Sequence, residues 1–232
     1  MIPILEARGV TKVFIGGDGG EIRVLDGVDL QVARGEMVAV VGASGAGKST
    51  LLQVLGALER PTGGEVVLDG RAVSTVPDEA LAGLRNRGVG FVFQFHHLLR
   101  EFTALENVMM PLRIAGQSSG RARAQAQELL GRVGLGGRMH HLPGELSGGE
   151  QQRTAVARAL AAAPPLILAD EPSGNLDHAN AELLHDLFAG LAGEMGVGLV
   201  VVTHNRSLAA RAQRILLLED GRLAPTRGEG LV

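Results

Sequence analysis

The chain reads as an α/β protein: a parallel-sheet core with a helical insertion at about 95–164. Three observations predict it. Residues 37–41 are a short continuous apolar run that passes straight into a glycine-rich loop, as a strand buried on both faces does before a βα turn. Residues 166–170 are a second apolar run, ending in the adjacent carboxylates Asp170 and Glu171. Between the two, from Gln94 onward, strand-like runs give way to helical spacing.

Taken in order, residues 4–7 and 22–32 read as strands, the second alternating imperfectly. After the 37–41 strand and its loop, residues 49–58 have helical character. The turn Pro61-Thr62-Gly63-Gly64 precedes a strand at 66–68, and Pro77-Asp78 opens a short helix. Residues 89–93 form another buried strand. Leu105, Val108, Met109 and Leu112 share one side of a helix within 103–135, and 121–133 is a second helix, rich in Ala and Arg. A third, at 150–162, carries the apolar stripe Ala155, Val156, Ala159 and Leu160 and is stopped by Pro164-Pro165. Strands return at 166–170, 199–203 and 215–219, with a helix at 180–195.

Composition narrows the class. The 232 residues are 45% hydrophobic, enough for a substantial core. The absence of cysteine excludes disulfides and thiolate metal sites. No apolar run reaches the ~18 residues of a spanning helix, and the first residues lack the basic and apolar regions of a signal peptide. The expected location is cytosolic, with any membrane contact indirect, through a partner. A net charge of −3 gives no support for a nucleic-acid partner. Of 22 basic residues only Lys12 and Lys48 are lysines. A compact ammonium fits among phosphate oxygens where a planar guanidinium is too bulky, so Lys48 stands out as chosen for its chemistry.

Lys48 lies in Gly42-Ala43-Ser44-Gly45-Ala46-Gly47-Lys48-Ser49, followed by Thr50, which fits the P-loop pattern. Glycines let successive backbone N–H groups point at phosphate oxygens, and the following helix adds its positive end. Lys48 is expected to bridge the β- and γ-phosphates, and the Ser49 hydroxyl to ligate Mg²⁺. Asp170 and Glu171 point to opposite faces of a strand end, so they suit two different roles. Leu146-Ser147-Gly148-Gly149-Glu150-Gln151-Gln152-Arg153 opens a helix with Ser147 as N-cap and Glu150 at the third position, leaving free N–H groups that favour an anion. His96-His97 and His140-His141 lack a carboxylate cluster at ligand spacing, so a metal site is set aside; His96-His97 is assigned to a partner surface.

A P-loop, then LSGGEQ, then an apolar strand ending Asp-Glu, in that order and across nearly the whole chain, resembles the ATP-binding-cassette (ABC) ATPase family. The resemblance implies an α/β P-loop NTPase (RecA-like) fold, a mixed sheet core with an antiparallel β lobe and a helical insertion, with ATP and Mg²⁺ as ligands. It implies one nucleotide-binding domain over 1–232, with a catalytic core at 1–94 and 165–224, a helical subdomain at 95–164 and a tail at 225–232. It further implies that Asp170 holds Mg²⁺, that Glu171 is the general base, and that His204 after the 199–203 strand contacts the γ-phosphate. Gln94 would sense Mg²⁺ and the γ-phosphate. Phe14 would stack on adenine, a place where the family commonly has Tyr. Ser147, Gly148 and Gly149 would meet ATP held by a second copy, and Asp177, in Gly174-Asn175-Leu176-Asp177, would lie along the seam of that homodimer.

The stretch from Phe93 to Val108 (FQFHHLLREFTALENV) is similar to the lipoprotein-releasing branch of the family, which usually has Pro where this chain has Arg100 and Arg where it has Gln151. That implies integral membrane subunits of LolC/LolE type, with Phe95, Leu98, Leu99 and Phe102 forming a groove for one of their helices. The macrolide-exporter and cell-division branches remain alternatives, and a soluble DNA- or ribosome-associated ATPase a remote one.

Overall fold

The computed structural model describes residues 3–226. In chain order, the first half contains β1 (Leu5–Ile15), β2 (Glu21–Val32), β3 (Met37–Val41), α1 (Lys48–Leu55), β4 (Gly63–Leu68), β5 (Arg71–Ala72), α2 (Asp78–Gly88) and β6 (Val89–Phe93). The helices α3 (Ala104–Ile114), α4 (Ser119–Arg132) and α5 (Gly148–Leu160) follow. The chain then returns through β7 (Leu166–Asp170), α6 (His178–Met195), β8 (Gly198–Val202), α7 (Arg206–Ala209), β9 (Arg214–Glu219) and β10 (Arg222–Pro225). The tail assigned to 225–232 begins inside β10, and its residues beyond Thr226 lie outside the described residues.

Two sheets result. The larger has the order β10-β9-β3-β8-β7-β6, parallel throughout except for the antiparallel β9–β10 pair. The smaller, β2-β1-β4-β5, is antiparallel. Every residue of β3 and β8 is buried, which is why those strands read as unbroken apolar runs. Successive side chains serve opposite faces. Val38, Val40, Val200 and Val202 join α1 and the antiparallel sheet in one core, while Met37, Leu199 and Val201 join α3–α6 in another.

Some elements differ from the sequence expectation. β1 continues to Ile15 instead of ending near Ala7, because register shifts after Ala7, Val10 and Lys12 break the two-residue alternation. α1 stops at Leu55, where Gly56 packs against the Phe91 ring. α6 starts at His178 because the Asp177 side chain caps it. The two-residue β5, four-residue α7 and edge strand β10 are too short to carry a period. Leu105, Val108, Met109 and Leu112 are buried against Leu129, Leu130, Val156 and Leu160, as the helical spacing predicts. Ala159 is only partly buried. Among the described residues no helix is long and apolar enough to cross a membrane.

Candidate active site

The loop between β3 and α1 shapes a cavity of about 420 Å³. Ser44, Gly45, Gly47, Lys48, Ser49 and Thr50 line one side, Val24 of β2 another, and Asp170 and Glu171 the end of β7. Gly47 holds φ at 97°, and a Cβ there would come within 2.7 Å of Val24. Both facts demand glycine. Lys48 Nζ donates to the carbonyls of Gly42 and Ala43, each at 2.8 Å, which aims the ammonium across the loop it belongs to. Phe14 pairs with Ile22 across β1–β2, two positions from Val24. Its ring is 38% exposed rather than in the core, with Lys12 Nζ 4.8 Å from its centroid, a cation–π contact.

The residues present fit a Mg²⁺–nucleotide. Ser49 and Asp170 line the same cavity, a hydroxyl and a carboxylate of the hard oxygen type that Mg²⁺ prefers. Among the described residues there is no cluster of three or more His, Asp or Glu that could cage a metal alone; Mg²⁺ on a nucleotide needs only one or two carboxylates beside the phosphates. Burial raises the Asp170 carboxyl above the ordinary range. The Ser49 hydrogen bond and the Lys48 charge oppose that rise, and Glu171 adds to it.

Glu171 follows at φ 43°, a left-handed conformation unusual for a non-glycine residue. Its N–H is held by Val202 O at 2.9 Å. Its carboxylate meets His204 twice: Nδ1 at 2.8 Å from Oε1, and the backbone N–H donating to Oε2 at 3.2 Å. The contact His204 makes here is thus with Glu171, which holds its exposed ring at the cavity end. Gln94 lies against the neighbouring 174–177 loop. It does not line the cavity; its amide donates to Asn175 Oδ1 at 3.0 Å while Asn175 returns a bond to the Gln94 carbonyl at 3.3 Å. The Asn175 side chain thus engages both the side-chain amide and the backbone carbonyl of Gln94 and holds it on the 174–177 loop.

Ser147 caps α5 in a reciprocal box with Glu150. Neither Ser147, Gly148 nor Gly149 lines the Lys48 cavity of its own chain. A Cβ on Gly149 would run into the Asn180 amide. Asn180 Nδ2 and N–H both donate to Asp177, whose carboxyl is held low chiefly by the backbone bond. Within the chain, then, Asp177 acts as the α6 cap and fixes Asn180 against the α5 start.

A second concavity, about 780 Å³, lies beside Gln94 and is lined by Phe95, His96, Leu98, Arg100 and the 142–145 turn. Phe95 is 68% exposed. Leu99 faces a separate apolar pocket of about 320 Å³ with Met110 and Ile114, and Phe102 lines neither. The fully buried Asn107 amide shapes this segment by bonding to the backbone of Leu99, Phe102 and Thr103.

A family model described as ABC transporter matches residues 25–174. The chain belongs to the ABC transporter family. Among curated relatives, a lipoprotein-releasing system ATP-binding protein LolD from Geobacter metallireducens is 54% identical, covering 96% of this chain and 99% of that one. LolD proteins from Porphyromonas gingivalis and Xanthomonas campestris pv. campestris are 53% and 58% identical over 95% and 86% of this chain, and 98% and 84% of theirs. Among solved structures, the dimeric post-hydrolysis state of the ATP-binding cassette MJ0796 bound to ADP and Pi superposes with a TM-score of 0.88. It is 39% identical and covers 97% of this chain and 99% of that one. The α/β cassette fold with its antiparallel lobe is therefore that of an ABC nucleotide-binding protein.

Within this ABC cassette the structure adds residues that sequence reasoning passes over. Val24 forms a cavity wall through a strand pairing. Gln152 donates to Phe93 O at 3.1 Å, and Arg158 donates to the carbonyls of His96 and His97 at 2.8 and 2.7 Å. Burial lowers the Arg158 pKa. A polar Gln152 next to the apolar stripe of α5 was the one signal in the sequence.

Proposed function

We propose that the chain is the ATP-hydrolysing subunit of an inner-membrane ABC complex that releases lipoproteins toward the outer membrane. The observation that carries the reading is the likeness to LolD proteins over essentially the whole of both chains, joined to a P-loop cavity that ends on Glu171. The chain sits peripherally on the cytoplasmic face, bound to membrane subunits of LolC/LolE type through the Phe95–Leu98 concavity. The concavity mixes apolar Phe95, Leu98, Leu142 and Pro143 with polar His96, His97, Arg100 and Glu145, a lining that would take an amphipathic helix.

The backbone of 42–47 and the positive end of α1 bind the phosphates of ATP. Lys48 exchanges its loop carbonyls for β- and γ-phosphate oxygens. Ser49 and Asp170 hold Mg²⁺, which supplies neutralisation of phosphate charge. Glu171 accepts a proton from the attacking water and aligns it, while His204, tethered to that carboxylate, reaches the γ-phosphate. Phosphoryl transfer depends on such alignment and charge neutralisation more than on covalent chemistry. Phe14 stacks on adenine at the β1–β2 edge, Gln94 passes the occupancy of the site to the helical subdomain, and Asp177 lines the seam between two copies. Ser147, Gly148 and Gly149 of each copy face the nucleotide of the other, consistent with the dimeric relative.

Affinity purification in detergent, followed by ATP-turnover assay, tests the assignment. LolC/LolE-type membrane proteins should co-purify and release of a lipoprotein from proteoliposomes should require ATP. Co-purification with exporter or cell-division subunits instead would reassign the cargo.

A further inference from the structure

After Glu171 the chain passes through Pro172 to Ser173, whose buried Oγ lies 3.0 Å from Nε2 of His185 on α6. The other residues that α6 buries are Ala181, Leu184, Phe188, Leu191 and Ala192. An imidazole with no exposure in that apolar stripe requires a partner to offset its desolvation. Its second nitrogen, Nδ1, faces Glu182 Oε1 at 3.3 Å, outside hydrogen-bond alignment. Glu182 accepts from Ser207 Oγ on α7 at 2.7 Å and from Arg211 at 2.8 Å, and Arg211 also holds Asp186 at 2.7 Å. Each member of the Glu171–His204 pair is therefore followed closely by a serine tied to α6: Ser173 through His185, and Ser207 through Glu182.

We propose that His185 is a positioning residue for ATP hydrolysis: its neutral ring, with the proton on Nδ1 toward Glu182 and Nε2 accepting the Ser173 hydroxyl, sets the spacing of the loops that carry Glu171 and His204. The inference rests on Glu171 being the general base. The charged groups facing the ring are Glu182 and Asp186 from α6 and Arg211 from beyond α7; Ser173 and Ser207 are uncharged. Burial lowers the His185 pKa, Arg211 lowers it further, and the two carboxylates oppose. The balance favours the neutral form. Protonation would turn Nε2 into a donor and reverse the Ser173 contact.

The test uses the full chain assembled with its membrane subunits and measures kcat, the KM for ATP and thermal melting. His185→Leu fills the space without a polar atom, Ser173→Ala removes the partner, and His185→Gln returns an amide to the Nε2 position. Displacing a loop beside the reacting groups costs catalysis rather than binding. His185→Leu and Ser173→Ala should each lower kcat about tenfold with KM changed less than about twofold. The double variant should lose no more than either single one, and His185→Gln should recover most of the loss. Wild-type kcat in a folded His185→Leu, or losses that multiply in the double variant, would overturn the inference. If His185→Leu does not fold, Ser173→Ala with unchanged kcat overturns it equally. Glu171→Gln, run beside them, separates the two readings. If it retains turnover the base assignment fails; if it collapses while Ser173→Ala and His185→Leu keep full kcat, only the role of His185 fails.

Discussion

Glu171 holds a left-handed backbone, φ 43°, that costs a non-glycine residue about 1–3 kcal/mol. The Val202 carbonyl and the two His204 contacts over-determine that conformation. Glu171→Gln keeps the side-chain shape, removes the charge and turns one of the two acceptor oxygens facing His204 into a donor, so the base function is lost. Turnover should fall about 10²- to 10⁴-fold while ATP still binds. ATP-dependent dimers accumulating on a sizing column would mark the stalled state; near-normal turnover would remove Glu171 from the role. Glu182 makes a separate, pH-dependent contribution. Its hydrogen bond from Ser207, then that from Arg211, lowers its pKa to about 2, against 4.5 ordinarily. Between those values the unfolded chain binds more protons, so stability rises with pH there, is complete above about 4.5 and is lost toward 2. The melting difference between wild type and Glu182→Gln should therefore shrink as pH falls through that window; a constant difference from pH 6 to pH 3 would contradict it. The P-loop, Asp170 and Glu171 were legible in the sequence because they are contiguous and end apolar runs. The Glu171–His204 and Gln94–Asn175 pairs were not, since 33 and 81 positions separate them and only the sheet order brings them together.

At the scale of elements, α5 joins two surfaces. Its capped start at Ser147 is exposed, where the proposed dimer would place a second copy, while Arg158 in its last turn reaches the segment after Gln94 and Gln152 in its second turn holds the Phe93 carbonyl. At 1.5 Å per residue a helix of this length spans about 20 Å as a rigid strut. A shift at either end is thus transmitted to the other. Arg158→Leu removes two charge-assisted bonds, each worth about 1.5–3 kcal/mol, and frees the carbonyls of His96 and His97. Nucleotide binding to the isolated chain should survive, whereas stimulation of turnover by the membrane subunits should be largely lost. Equal stimulation of wild type and variant would show that the strut ends elsewhere. Elements of this kind were readable where one physical signal dominated: β3, β6, β7 and β8 as short apolar runs, α3 and α5 by their stripes, and α4 by its Ala- and Arg-rich composition. β1 escaped beyond Ala7 because its bulges shift the inward face from one side chain to the next. β10 escaped because an edge strand packed on one neighbour carries no apolar pattern.

For the whole molecule the arrangement has a geometric consequence. The Lys48 cavity and the Ser147 helix start are separate places on one chain, and in the proposed dimer each completes the other across a two-fold axis. A Lys48→Ala chain weakens its own phosphate cradle but still offers an intact Ser147. For the opposite defect, Ser147→Asp serves well: aspartate caps a helix as readily as serine, so α5 should persist, while its carboxylate repels the incoming phosphate. Each variant alone should be nearly inactive. In a dimer with one copy of each, one pocket carries both defects and the other carries none. At equal amounts about half the dimers are mixed, so turnover should return to about a quarter of wild type if one sound pocket suffices. A self-contained pocket gives another outcome, since Ser147→Asp would then hydrolyse ATP unaided and mixing would yield only the mean of the two variants. Titrating one variant into the other at fixed total protein distinguishes these cases: a maximum at equal amounts follows from shared pockets, and a straight line from independent ones.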